Sequence, residues 1–82
     1  MKFTYVASRF ETAEKAMEKL HEQQLPYSPT GADYVMGEYE CENEEAWEKW
    51  YTEQMLGTMT REGFSYVYLL ENDTLRRSVN GI

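Results

Sequence analysis

Along the chain, the spacing of the apolar residues switches repeatedly between the alternation typical of β-strands and the spacing typical of α-helices. This switching constrains the fold more than any other feature of the sequence. Residues 2–7 alternate, with Phe3, Tyr5 and Ala7 on one face, which is typical of a β-strand. The next apolar residues follow helical spacing and form one stripe: Phe10, Ala13, Ala16, Met17 and Leu20. Ser8 and Glu11 have capping-box spacing, so we expect a helix from there to about residue 24, before Pro26.

The second half of the chain repeats the same switch. We expect a short strand around 25–28, a turn at 29–32 and a strand at 33–41, in which Gly37 indicates a bulge or a close backbone approach. Asn43 is the expected N-cap of a second helix that runs to about Glu62, with Gly63 just after its end. Residues 64–70 predict a buried strand, and a turn at 71–73 and a short final strand at 74–79 follow.

This order predicts a single α+β domain over residues 1–82, since a chain of 82 residues has no room for a second domain. If residues 25–28 form a strand, the expected fold is a ferredoxin-like βαββαβ two-layer sandwich, with two helices on one face of a mainly antiparallel sheet. If they do not, the order becomes βαβαββ.

The net charge of −7 comes entirely from residues 33–53, which hold eight acids and one base. Glu38, Glu40 and Glu42 alternate along the third predicted strand, so their side chains should leave one face. We expect this negative surface to continue into the start of the second helix, through Glu44, Glu45 and Glu48. Such unbalanced charge disfavours folding through self-repulsion, which suggests a use outside the molecule.

Large apolar side chains accompany these acids. Trp47, Trp50, Tyr51 and Met55 fall within an arc of about 140° on a helical wheel, which is the face expected to meet the sheet. Leu56 and Met59 fall outside this arc. With Tyr39, they are the residues that we expect to add contact area for a partner.

Few residues could carry chemistry. One histidine, His21, and one cysteine, Cys41, are 20 residues apart, and we interpret them as a helix-boundary histidine and a small buried thiol. Neither has a recognisable base or orienting group nearby in sequence. Zinc needs more Cys and His ligands than the chain has, and no calcium-loop, dinucleotide or P-loop motif occurs. We therefore predict no enzyme activity, no metal and no cofactor.

The compartment and the excluded partners follow from composition. A lone cysteine fits a reducing compartment, no run of about 18 apolar residues predicts a membrane helix, and the start resembles a strand more than a signal peptide, so we expect a cytoplasmic protein. The ferredoxin-like scaffold also carries RNA-recognition modules, but acids flank the relevant strand and would repel phosphate. We expect no direct nucleic-acid binding.

These observations favour a small acidic protein-binding module. A carboxylate-rich surface attracts a basic groove, and the nucleic-acid-binding site of a partner protein is a common basic groove. The hypothesis is therefore an inhibitor that occupies such a site. Small acidic proteins of phages and mobile elements that counter host defence nucleases act in this way, an analogy of size and charge without a shared motif.

Two alternatives remain at this point. The chain could be a self-associating regulatory or assembly module, a homodimer that pairs through a sheet edge or through a face bearing Tyr66 and Tyr68. It could also be a small-ligand binder with a pocket at His21 or Cys41.

Overall fold

A computed structural model of the chain describes residues 1–23 and 33–77, which form a four-stranded antiparallel sheet and three helices. In chain order the elements are β1 (Lys2–Ser8), α1 (Ala13–Gln23), β2 (Tyr34–Glu40), α2 (Glu44–Gln54), α3 (Leu56–Arg61), β3 (Tyr66–Glu71) and β4 (Thr74–Arg77). The α+β class and the antiparallel sheet are thereby confirmed.

The strands lie in the order β2-β1-β3-β4, and β1 pairs with both β2 and β3. Each of the two central strands has consecutive buried residues, which point to opposite faces, as burial on both sides of a sheet requires. Tyr5 lies opposite Leu69 and Val6 lies opposite Tyr68, and all four side chains are buried. The strands β2 and β4 form the edges of the described sheet.

The helices pack on opposite faces of this sheet. The α1-side cluster consists of Val6, Ala16, Leu20, Tyr34, Tyr68 and Leu75. The α2-side cluster consists of Tyr5, Trp47, Tyr51, Val67 and Leu69. Because Tyr5 and Val6 are consecutive on one strand, these clusters must lie on different sides. The prediction of two layers with both helices on one face is therefore wrong, and the sheet lies between α1 and the pair α2–α3.

The ferredoxin-like order is not confirmed, because the predicted strand at 25–28 lies outside the described residues. Within those residues the order is β1-α1-β2-α2-α3-β3-β4. This sequence of elements follows the alternative βαβαββ, with the second helix divided in two.

The first helix begins later than the capping-box spacing predicts. Ser8 is the last residue of β1, and its hydroxyl accepts a hydrogen bond from the Phe10 N–H at 2.9 Å. Thr12 takes the capping position instead, because its hydroxyl accepts from the Lys15 N–H at 3.2 Å and its carbonyl from the Ala16 N–H at 3.0 Å. The link between strand and helix is thus four residues long, from Arg9 to Thr12.

The predicted second helix is interrupted at Met55, which separates α2 from α3. Two helical hydrogen bonds still flank the interruption: the Met55 N–H donates to the Tyr51 carbonyl, and the Met59 N–H donates to the Met55 carbonyl. Gly63 follows the end of α3 with φ of +96°, the left-handed conformation expected of a residue after a helix end. Among the described residues, no helix combines the length and apolarity needed to span a bilayer.

Gly37 confirms the expected close approach of backbone and side chain. It lies directly opposite Tyr5 in an unbroken register between β1 and β2, so no bulge is present. A Cβ atom at Gly37 would lie 2.5 Å from the Tyr5 hydroxyl oxygen. The absence of a side chain therefore lets the Tyr5 ring lie against β2, a pairing that fixes strand register.

Candidate protein-binding surface

Two of the expected site residues, Glu38 and Glu40, lie on the edge strand β2, and both are exposed. They share the face of Tyr34 and Met36, which pack with the α1-side cluster. Their carboxylates therefore leave the sheet on its α1 side. Glu42 follows two residues after the end of β2, in the exposed link to α2. We call Glu38, Glu40 and Glu42 the acidic strip.

The neighbours of this strip on β1 only partly balance its charge. Glu40 lies opposite Lys2, so this cross-strand pair has opposite charges on one face. Glu38 lies opposite Thr4, which carries no charge. The outer side of β2 has no strand beside it in the described sheet. The acidic strip thus borders a sheet edge.

Tyr39 lies on the other face of the same strand. Its ring stacks on Trp50, with the ring centroids 3.9 Å apart and the planes 6° from parallel. Both side chains are half-buried at the border of the α2-side cluster. Tyr39 thus anchors β2 to α2 and still exposes part of its surface, as expected of an aromatic residue at the edge of a contact area.

Glu44 is occupied by a partner within the chain. Its two carboxylate oxygens accept from the Arg76 guanidinium at 2.7 and 3.1 Å, a two-pronged contact that joins α2 to β4. The Arg76 Nε also donates to Glu71 at 2.7 Å. The hydrogen bonds that Arg76 donates to Glu44 and Glu71 raise its pKa above the ordinary value. Glu44 is therefore a poor candidate for an external cation.

The other two helix acids differ in exposure. Glu45 is exposed, whereas Glu48 is buried, with 7% of its surface accessible. Both belong to α2, on the side of the sheet opposite to Glu38 and Glu40. The expectation that all six carboxylates form one continuous surface is wrong, because the sheet separates the strand acids from the helix acids.

Leu56 and Met59 also differ from their expected positions. The helical wheel placed them outside the core-facing arc of one straight helix. The interruption at Met55 makes them part of α3, and both are half-buried against the α2-side cluster. Only their remaining exposed surface is available to a partner.

The residues considered for chemistry lie apart. His21 is exposed on α1, which differs from the packed boundary position expected of it. Cys41 is half-buried after β2, and its thiol donates to the Asn43 carbonyl at 3.3 Å. Within residues 1–23 and 33–77, no three potential metal ligands of the His, Cys, Asp and Glu types come together.

The α2-side cluster contains two polar atoms that sequence analysis missed. The Trp47 Nε1 and the Tyr51 hydroxyl are buried and have no hydrogen-bond partner in the described part of the chain. Burial raises the pKa of Tyr51, and the neighbouring Tyr5 raises it further. Only the dense run of aromatic residues on β1 and α2 signals such a cluster in the sequence.

Comparisons with known protein families, with characterised proteins and with solved structures found no match to this chain.

Proposed function

We propose that this protein is a non-enzymatic acidic module that binds a basic surface of a partner protein. The observation that carries the proposal is that residues 33–53 hold the entire net charge of −7, and that the acidic strip is exposed beside a sheet edge. A net negative field of this kind accelerates association with a positively charged surface and lowers the affinity for an acidic one.

The binding surface proposed from this geometry is smaller than the set expected from sequence. The acidic strip supplies the charge, and Tyr39 supplies aromatic contact area on the opposite face of β2. Glu45 is exposed on α2, across the sheet from Glu38 and Glu40, and adds negative charge without joining the acidic strip. Glu44 and Glu48 contribute to folding rather than to contact, because Glu44 pairs with Arg76 and Glu48 is buried.

The finer proposal is that the basic surface is a nucleic-acid-binding site, so that the protein acts as an inhibitor by occupying it. Its support is chemical: carboxylates and phosphates are both anions that Lys and Arg side chains bind through charge-assisted hydrogen bonds. A cytoplasmic location belongs to the same proposal, since Cys41 is a free thiol.

The experiment uses the protein as bait in an extract of its source cell at low salt. A parallel bait carries Glu38→Gln, Glu40→Gln and Glu42→Gln, and proteins retained by the parent alone are the candidates. We then expect a purified candidate to release its nucleic acid when the protein is added. A candidate that binds nucleic acid and the protein together would contradict the inhibitor proposal. Equal retention by both baits would contradict the binding surface itself.

Self-association is the second candidate, and the outer edge of β2, which pairs with no other strand of the described sheet, favours it. The face bearing Tyr66 and Tyr68 does not, because Tyr68 is fully buried beneath α1 and its hydroxyl bonds to the Phe10 and Glu11 carbonyls. Light scattering over a range of concentrations separates the candidates: a monomer at every concentration removes self-association.

A further inference from the structure

The strand β2 is regular, and among residues 1–23 and 33–77 no strand pairs with its outer edge. Its seven residues, Tyr34–Glu40, pair with β1 in continuous register, so no bulge twists the edge away. Proline and lysine are common guards against strand addition, and β2 contains neither. At about 3.4 Å per residue, this edge is roughly 20 Å long.

The side chains of β2 specify which strand would fit beside it. Residues opposite each other on neighbouring strands share a face. On the α1 side, an added strand would meet the exposed Glu38 and Glu40, which favour Lys or Arg, beside the half-buried Met36 and the buried Tyr34. On the α2 side it would meet Val35 and Tyr39, both half-buried, which favour apolar side chains. A segment that alternates basic and apolar residues would therefore complement both faces.

The surface around Glu38 has room for a long basic side chain. An open depression of about 280 Å³ lies on β1 and β2 and is lined by Thr4, Met36, Gly37 and Glu38. The aliphatic part of a lysine can pack along an apolar surface such as Met36 while its ammonium group stays near a carboxylate. The depression is therefore the place where a basic side chain of an added strand would lie beside Glu38.

A second copy of this chain fits the same edge less well. Two β2 strands paired antiparallel about Gly37 would place Glu38 of one copy opposite Met36 of the other, and the two Glu38 side chains would be diagonal neighbours. Each copy also carries a net charge of −7. Like charges close together across strands destabilise pairing, so charge favours a basic partner.

We propose that β2 accepts an extended segment of a partner protein, with alternating basic and apolar residues, as a fifth strand of the sheet. This inference rests on the proposed function and adds a mode of binding to it. Main-chain hydrogen bonds supply affinity, and alternate side chains supply specificity, as in other cases of strand addition.

The probe is a seven-residue peptide with Lys at alternate positions and Val or Tyr between them, matched in length to β2. The control peptide has the same composition with its lysines contiguous. Two further peptides carry N-methyl groups on alternate residues, one on the odd and one on the even positions. Neighbouring amides of a strand point to opposite sides, so only one methylated set removes donors that face β2.

We expect the alternating peptide to bind roughly tenfold more tightly than the contiguous control. One methylated peptide should bind like its parent, and the other roughly tenfold more weakly. Equal weakening by the two methylated sets, or equal binding of the alternating and contiguous peptides, would overturn strand addition. A dimer of the protein alone that the peptide dissociates would instead assign the edge to a second copy and also overturn it.

Protein variants separate this inference from the proposed function. We expect Glu38→Gln with Glu40→Gln to weaken peptide binding, whereas Glu14→Gln with Glu53→Gln, which changes net charge equally at exposed helix positions, should leave it nearly unchanged. If Glu38→Gln with Glu40→Gln weakens binding but the two methylated peptides bind equally, strand addition is contradicted and the acidic binding surface is not. If the two double variants bind the peptide equally, the acidic binding surface is contradicted as well.

Discussion

At the scale of single residues, two buried tyrosines, one in each cluster, differ in whether their hydroxyl has a hydrogen-bond partner. Tyr51 and Tyr68 are both 0% exposed. The Tyr68 hydroxyl lies 2.8 Å from the Phe10 carbonyl and 2.6 Å from that of Glu11, and so ties β3 to the segment before α1. The Tyr51 hydroxyl has no partner in the described residues. The two side chains should therefore respond in opposite ways to loss of the hydroxyl.

The first prediction compares Tyr68→Phe with Tyr51→Phe. Tyr68→Phe should lower the free energy of unfolding by about 0.5–1.5 kcal/mol, because it removes the hydrogen bonding of this hydroxyl to the Phe10 and Glu11 carbonyls. Tyr51→Phe should leave it unchanged or raise it by up to about 1 kcal/mol, because it removes an unpaired buried hydroxyl. Denaturant titration of the two variants beside the parent measures both. A larger loss for Tyr51→Phe would contradict the assigned environments.

The second prediction concerns alkaline pH. Burial raises the pKa of Tyr5, Tyr51 and Tyr68 above the ordinary value of 10.0. The unfolded chain therefore loses these protons first, and the folded chain holds more protons above about pH 10. The free energy of unfolding should be independent of these groups below that pH and should fall as pH rises beyond it. Tyr51→Phe should make the free energy of unfolding fall less steeply with pH. An unchanged slope would contradict a contribution of the Tyr51 hydroxyl to this pH dependence.

Some of this residue detail could be predicted from the sequence. Alternation and helical spacing placed Trp47, Trp50 and Tyr51 in the core-facing arc, and Gly37 was expected to allow a close approach, which Tyr5 makes. The pairing of buried polar atoms could not be predicted. It depends on which carbonyl lies within hydrogen-bond distance of each hydroxyl, and such distances follow from tertiary packing.

At the scale of elements, the main departure is the interruption of the second helix. A helical wheel assumes one straight axis, and no glycine or proline between Asn43 and Leu56 signals its end. The observed division at Met55 brings Leu56 and Met59 against the α2-side cluster. Burial of these apolar side chains favours the divided arrangement. Such a tertiary effect is invisible to local spacing.

The start of α2 was predicted correctly and supports the third prediction. Asn43 has extended backbone angles, φ −159° and ψ 175°, and its side-chain oxygen accepts from the Ala46 N–H at 2.8 Å. Asn43→Ala should lower the free energy of unfolding by about 1 kcal/mol, because this N–H loses its acceptor. Asn43→Ser keeps an acceptor and should cost much less. Equal losses in thermal or denaturant unfolding would show that the cap contributes little.

At the scale of the whole molecule, the arrangement of helices determines which acids act together. Helical spacing shows which face of a helix is apolar, but not which side of a sheet covers it. With α1 and α2 on opposite sides, the acids of β2 point away from those of α2, and Arg76 neutralises part of the α2 side. The location of the charge in the chain was therefore predictable, whereas its division between two surfaces was not.

The most direct test of the proposed binding surface is the salt dependence of partner affinity for three matched proteins. The first is the parent, the second carries Gln at Glu38, Glu40 and Glu42, and the third carries Gln at Glu14, Glu53 and Glu62, all exposed helix or helix-end positions. The two variants have the same net charge. The dissociation constant of a partner captured with the parent is measured for each protein at increasing salt.

If the acidic strip makes the contact, the second protein should bind roughly tenfold more weakly at low salt and show a clearly flatter salt dependence than the parent. The third protein should stay close to the parent in both respects. Equal behaviour of the two variants would mean that overall charge alone drives association. Binding that is indifferent to salt in the parent would contradict an electrostatic contact altogether.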